Sequence, residues 1–239
     1  MGDISLRIRK LWTGLTNPVA RRALKFGVGA SIEHASALSA FNFDTVVDVG
    51  ANRGQFATFV RMHFPRARIV SFEPLLRPAA VYAALFQNDP LARLERVAIA
   101  STRGSVVMRV TQADDSSSYL DVADKQKAIF GTQVVEKHEA PCGPLSDFVS
   151  QDDLGKCNLL KIDTQGSELE VLKGVDALDA FNVVYCEVSF LTLYTGQALA
   201  PEIISYLSSR GFDQAGVFNL ESHPDYGQVQ ADMLFVRRQ

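Results

Sequence analysis

The stretch VVDVGANRGQF, residues 46–56, decides how this chain is read. A short apolar run from Thr45 to Val49 ends at Gly50 and reads as a buried strand. Phe56, Phe59, Val60 and His63 then recur at helical spacing, and Pro65 closes the segment. A strand, a glycine turn and a helix in immediate succession make the first half of a βαβ unit.

Working outward, the alternation continues. Arg68 to Phe72 reads as a second strand ending at Glu73-Pro74, and Pro78 opens a helix carrying Val81, Tyr82, Leu85 and Phe86. Arg93 to Ala100 reads as a third strand. Farther on, NLLKID (158–163) and NVVYCEV (182–188) read as the fourth and fifth, with the compact helix SELEVLKG between them. Ser167 and Glu170 there have capping-box spacing, and Gly174 stands where a terminal glycine belongs. Pro201, Ile203, Ile204, Leu207 and Gly211 mark another helix. Two last strands are expected near Gln214–Phe218 and Asp232–Arg237, joined by a polar loop. Strands alternating with helices imply an α/β fold on a parallel sheet with helices on both faces. Residues 104–145 interrupt the pattern: SVVMRVT alternates like a half-exposed strand, Asp121 to Phe130 suits a helix and Thr132 to Lys137 a strand. This segment is expected to be an insertion decorating the sheet.

Bulk properties narrow the classes. With 239 residues, 47 % of them hydrophobic, the chain can bury a full core as one large domain. A net charge of −3 argues against a nucleic-acid-binding surface. Cys142, Cys157 and Cys186 form no CxxC pair and suit a reducing, cytosolic setting. Residues 1–40 read as a basic helical segment preceding the main domain at 41–239. In its first 26 residues Arg7, Arg9, Lys10, Arg21, Arg22 and Lys25 oppose only Asp3, and Leu6, Leu11, Trp12 and Leu15 interleave. Two readings stand: a helix on the domain edge with a solvated basic face, or a peripheral contact with an anionic membrane.

Ligands of open α/β sheets sit beyond the carboxyl ends of the strands. The loop Asp48-Val-Gly50-Ala51-Asn52-Arg-Gly54 therefore marks the expected site. It lacks the third glycine of the dinucleotide fingerprint and the Gly-Lys of a phosphate loop. Asp48 would repel a pyrophosphate and suits an ammonium or sulfonium group, while Glu73 is placed to accept hydrogen bonds from ribose hydroxyls. An adenosine compound of cationic character, S-adenosylmethionine, fits both. A nicotinamide dehydrogenase and a non-catalytic nucleoside-binding scaffold remain as alternatives.

The blocks VVDVGANRGQF, VSFEP, LLKIDTQGSELEVLKG, VVYCEVSFLTLY and DMLFVRR resemble, in order, the FkbM-type family of S-adenosylmethionine-dependent methyltransferases, over about residues 42 to 238. The resemblance implies a class I methyltransferase sheet of seven strands with an antiparallel last strand. It also implies O-methylation of a hydroxyl on a sugar, glycolipid or polyketide. By position, Asp48, Gly50, Ala51, Asn52, Gly54 and Phe56 would serve the methionine part of the cofactor. Glu73 and Pro74 would serve the ribose, and Ala98 and Ile99 the adenine. Two departures bear on what carries over: Gln165 stands where the family usually has Glu, and Leu145-Ser146-Asp147 where it often has Leu-Asp.

An attacking alcohol gains from a base. Asp163 and Glu187 end the fourth and fifth strands, so both are expected to face the pocket as general base, as orienting group, or as ligands sharing a divalent ion such as Mg²⁺. Asp115, Ser116, Ser117, Ser118 and Tyr194 are the candidate acceptor contacts, because sugars are bound by hydroxyl and carboxylate groups of this kind. His138 and His223 fall in polar loops and are weaker candidates for a base.

Overall fold

The computed structural model describes residues 4–238. Met1 to Asp3, Gln239 and the side chains of Ile4, Ser5, Arg7 and Asp114 lie outside the described residues, and with them the expected parts of Asp3 and Arg7.

In chain order the elements are α1 (Ile4–Thr16), α2 (Pro18–Lys25), α3 (Ala35–Leu38), β1 (Thr45–Val49), α4 (Gln55–His63), β2 (Arg68–Phe72), α5 (Leu76–Phe86), β3 (Ala92–Glu95) and β4 (Ala98–Ile99). There follow β5 (Gly104–Thr111), α6 (Asp124–Phe130), β6 (Val134–Gly143), β7 (Asn158–Ile162), α7 (Glu168–Lys173), β8 (Val183–Ser189), α8 (Ala200–Ser209), β9 (Phe212–His223) and β10 (Gly227–Arg237).

Seven strands form one sheet in the order β3-β2-β1-β7-β8-β10-β9. β1 pairs in parallel with both β2 and β7, and β10 lies antiparallel to β8. This is the class I methyltransferase sheet, with an antiparallel last strand. The central strands are buried on both faces, which is why they read as near-continuous apolar runs, interrupted by Asp48 in β1 and Lys161 in β7. Strand order reverses between β1 and β7, and the loops beyond those two carboxyl ends open onto the site.

The expected third strand is two strands. β3 joins the main sheet, whereas β4 pairs with β6 of a second, three-stranded sheet in the order β4-β6-β5. The break falls at Arg96-Val97, where the chain leaves one sheet for the other. β6 extends through Pro141 to Gly143, well past the expected end at Lys137. The final hairpin is also longer than its hydrophobic pattern suggested: the polar residues between Phe218 and Asp232 are strand, not loop, apart from the turn after His223. Helix α5 starts at Leu76, with Pro78 in the first turn, where a missing N–H costs nothing.

The expected capping box at Ser167 does not form. Ser167 Oγ donates to Thr164 O (3.0 Å), and Glu170 pairs with Lys173 (2.6 Å). Glu168 takes over the loop instead, accepting from the Thr164 and Gly166 N–H groups at 3.0 Å each. Gly174 does close the helix. A Cβ there would stand 2.5 Å from the backbone of Ala100, so glycine is required by close approach.

The N-terminal helices are packed on this frame. Ala23, Val28 and Leu38 share a buried cluster with Val46, Phe56 and Phe59. Asn17 caps α2 by accepting from Val19 and Ala20 N–H, and Pro18 opens it. Among the described residues no helix is long and apolar enough to cross a membrane.

Candidate active site

A cavity of about 280 Å³ opens where the ends of β1, β2, β4 and β7 converge. Its floor is the opening stretch: Gly50, Ala51, Asn52 and Phe56 line it. The turn after β1 is shaped by Gly50 at φ +84° and Asn52 at φ +47°, a conformation that asparagine tolerates better than most residues. A Cβ on Gly50 would meet Asp163 O at 1.8 Å, so the β1 and β7 loops touch only because position 50 has no side chain. Gly54 is outside the cavity. Its φ of +94° and the approach of Tyr82 and Phe86 to within about 3 Å of a would-be Cβ give it a packing role.

Asp48 departs from expectation. It is wholly buried and does not line the cavity. Its Oδ1 lies 3.2 Å from Lys161 Nζ, which also approaches Asp163 Oδ2 (3.5 Å), donates to Gly50 O (3.3 Å) and sits over the Phe56 ring (5.4 Å). Burial alone would lower the lysine's pKa, but the charges of Asp48 and Asp163 outweigh it and hold the ammonium protonated. Asp48 therefore does not present a free negative charge to a ligand. Sequence reasoning missed Lys161, although a lone charge within the buried run NLLKI was a visible signal.

Glu73 lines the cavity, just past the end of β2. It is buried at the cavity wall, accepting from Asn52 N–H (2.9 Å) and Leu75 N–H (2.8 Å), with Pro74 beside it. Burial pushes its carboxyl up to about 7, against those two donors. Val97, Ala98 and Ile99 form an apolar side of the cavity with Phe72 and Leu75.

Asp163 lines the cavity and is partly open to solvent; Glu187 does not line it. Between them lies Gln165, whose Nε2 donates to Asp163 Oδ1 (2.9 Å) and to Glu187 Oε2 (2.8 Å). Gln230 Nε2 donates to the other Glu187 oxygen (3.1 Å). Burial, then the charges of Asp163, Asp232 and Glu168, raise the Glu187 carboxyl well above its usual range. A divalent ion shared by Asp163 and Glu187 does not fit this arrangement, because an amide donor occupies the position between them. Among the described residues no group of three or more His, Cys, Asp or Glu is arranged to hold a metal. Gln165 holds φ +55°, a left-handed conformation that costs energy outside glycine and asparagine.

Of the candidate acceptor residues, Asp115 and Ser117 line the cavity. Ser116, Ser118 and Tyr194 do not. Ser118 Oγ accepts from Leu120 N–H and folds the loop locally (3.1 Å). The buried Tyr194 hydroxyl lies 2.9 Å from Ser116 O and 3.1 Å from Gln165 Oε1, so it ties the serine loop to the Gln165 bridge. Asp147 sits apart, bound to Arg103 by two 2.7 Å hydrogen bonds.

The N-terminal segment supplies a wall that sequence reasoning did not foresee. Lys10, Ser31, Glu33 and His34 line the cavity, and Lys10 pairs with Glu33 (2.9 Å). His34 Nδ1 lies 3.1 Å from Tyr185 OH and 3.4 Å from Asp232 Oδ2. Burial works against the Asp232 charge, but His34, Asn219 and Tyr185 hold its carboxyl below the usual value. His138 and His223, the histidines considered from sequence, do not line the cavity.

A family model described as the methyltransferase FkbM domain matches residues 48–213. Methyltransferase sdnD of Sordaria araneosa is 27 % identical over 220 residues, covering 81 % of each chain. The 31-O-demethyl-FK506 methyltransferase FkbM of Streptomyces tacrolimicus is 28 % identical over 195 residues, covering 71 % of this chain and 72 % of its own. The 2-O-methyltransferase NoeI of Sinorhizobium fredii is 24 % identical over 215 residues, covering 87 % and 86 %. With the class I sheet, the glycine turn and the cavity at its reversal point, these matches show that the chain belongs to the FkbM methyltransferase family.

Proposed function

We propose that this methyltransferase uses S-adenosylmethionine to methylate a hydroxyl of a sugar, glycolipid or polyketide-type acceptor. The observation that carries the reading is Glu73. It is a buried carboxylate at the end of β2, each oxygen accepting one backbone N–H, and it belongs to a residue that lines the cavity. A ribose diol matches that site, since its two hydroxyls are donors to a carboxylate.

The other residues present fit the same cofactor. The apolar slot of Val97, Ala98 and Ile99 suits a flat base. Glu33 Oε2 and Gln55 Oε1, from residues that also line the cavity, are buried acceptors with no hydrogen-bond partner among the described residues, and an ammonium would satisfy them. When bound, S-adenosylmethionine supplies an electrophilic methyl group on a sulfonium sulfur. The protein's share is placement, exclusion of water and handling of the acceptor proton. We assign that proton to Asp163; the support is that it is the carboxylate of the Asp163–Gln165–Glu187 bridge that lines the cavity. Glu187 acts through Gln165, as a positioning residue. Asp115 and Ser117 offer polar contacts to the acceptor. The names of two relatives, 2-O- and 31-O-methylating enzymes, support oxygen as the methyl-accepting atom.

Membership of a methyltransferase family removes the support for a nicotinamide dehydrogenase. Calorimetric titration tests the cofactor: S-adenosylmethionine and its demethylated product are expected to bind, and NAD is not. Binding of NAD alone would overturn the proposal. Incubation with methyl-labelled cofactor and a cell extract, followed by separation of labelled lipids and sugars, tests the acceptor class. Label recovered only in protein or nucleic acid would sink the hydroxyl acceptor.

A further inference from the structure

Helix α1 presents an apolar stripe that none of the described residues covers. Ile8, Leu11, Trp12 and Leu15 follow the i, i+3, i+4, i+7 pattern of a single helix face and are 60–70 % exposed. The opposite side of the helix is the packed one. Leu6 joins the cluster of Ala20, Ala30 and Ile32, Gly14 is pressed against Leu24, and Lys10 reaches Glu33. A helix normally buries its apolar face and exposes its polar one, and α1 does the reverse.

The surroundings of the stripe are basic. From Ile4 to Ile32 the chain has six Lys or Arg and no acidic residue. Arg9, Arg21, Arg22 and Lys25 are exposed, and Leu24 adds a further exposed apolar side chain on α2. Arg21 donates to Leu15 O (2.6 Å), which fixes a guanidinium at the end of the stripe.

We propose that α1 and α2 form a docking surface for an anionic phospholipid bilayer, with Ile8, Leu11, Trp12 and Leu15 entering the interface and the surrounding Arg and Lys side chains meeting the headgroups. An exposed apolar stripe with a tryptophan, edged by cations, is the pattern of helices that lie in the plane of a membrane. Charge favours lipid over a second copy of the chain. A two-fold contact through this face would bring Arg9, Arg21, Arg22 and Lys25 against their own equivalents with no acid to offset them. Because Lys10 lines the cavity from the other side of the same helix, docking would hold the cavity within about one helix diameter, ~10 Å, of the lipid surface. That a lipid-borne hydroxyl is thereby delivered rests on the methyl-transfer reading; the docking itself does not.

Trp12 is the only tryptophan in the chain, so its fluorescence reports this surface alone. The full chain is mixed with vesicles of phosphatidylcholine, or of phosphatidylcholine with about one third phosphatidylglycerol. The expected result is a blue shift and co-flotation with the anionic vesicles, at least about tenfold weaker with neutral ones and weakened by salt. Leu11→Glu with Leu15→Glu should abolish both signals while leaving circular dichroism and cofactor titration unchanged, since these side chains are largely exposed and do not line the cavity. Arg21→Glu with Arg22→Glu should remove the preference for anionic lipid. No shift and no flotation with the wild-type chain would overturn the proposal, as would equal binding to both vesicle types. A wild-type dimer in sedimentation analysis that the Leu11→Glu, Leu15→Glu variant dissolves would assign the stripe to self-association and overturn it as well.

Discussion

Lys161 Nζ, from a residue that lines the cavity, and Asp48 Oδ1, behind it, lie 3.2 Å apart, both almost sealed from solvent. The pair is the electrostatic centre of the site: it joins β1 to β7 and lets a charged residue sit in the middle of each. Its value lies in matching rather than in net stabilisation, because desolvating two ions costs about as much as their attraction returns.

Breaking the pair from one side should therefore be severe. Lys161→Met leaves the Asp48 carboxylate buried without a counter-charge and is expected to cost about 3–5 kcal/mol in urea denaturation. Adding Asp48→Leu to that variant should recover most of the loss, since the orphaned ion is gone. A double variant no more stable than Lys161→Met would show that the pair is not the source of the effect.

The Glu73 carboxyl, held at about 7 against an ordinary 4.5, links the site to pH. A carboxyl raised in the folded state binds its proton more tightly there than when unfolded. Its contribution to stability is complete below about pH 4.5 and is lost as the pH rises to about 7, with an upper size of about 3 kcal/mol. Glu73→Gln should flatten this part of the stability profile measured by denaturation between about pH 5 and pH 8. Parallel profiles for the two proteins would refute it. A diol that donates to the carboxylate prefers its ionised form, so S-adenosylmethionine affinity should fall as the pH drops through about 7 in the wild type and stay level in the variant.

The same residues show what a sequence can and cannot reveal. β1, β2, β7 and β8 were legible because burial on both faces leaves a mostly apolar run, with only a single polar or charged residue inside each. The split between β3 and β4 was not, since Arg93 to Ala100 carries no glycine or proline to mark a change of sheet. The long β9–β10 hairpin escaped because most of β9 is solvent-exposed and so lacks an apolar pattern. Glu73 could be placed from its position after a strand. His34 could not, because only the folded chain brings it to Asp232.

Two glycines with similar backbones separate conformation from crowding. Gly50 (φ +84°) and Gly196 (φ +81°) both hold left-handed geometry, but a Cβ on Gly50 would collide with Asp163 O, whereas one on Gly196 meets nothing within 4 Å. Gly196→Ala should cost about 1–2 kcal/mol, the conformational penalty alone. Gly50→Ala should cost more than about 4 kcal/mol, or prevent folding, because the β1 and β7 loops must part. Thermal melts of the two variants that coincide would contradict the close-contact account.

Gln165 bridges two acidic side chains, and the geometry says what the amide does. Its Nε2 donates to Asp163 and Glu187 at once, its Oε1 faces the Tyr194 hydroxyl, and the backbone is held at φ +55° to allow it. Gln165→Glu would replace the shared donor with a third carboxylate between two others. Two hydrogen bonds to acidic groups would be lost and like charges brought together, at a cost of about 2–4 kcal/mol. The same substitution would create three oxygen ligands around one point, where a hard divalent ion is well matched. The variant is therefore expected to melt below the wild type in chelator and to regain much of the difference with Mg²⁺ or Mn²⁺, while the wild type responds little to either. A variant as stable as the wild type in chelator would mean that Gln165 does not hold the two acids together, and with it would go the argument that Glu187 acts on the cavity through Gln165.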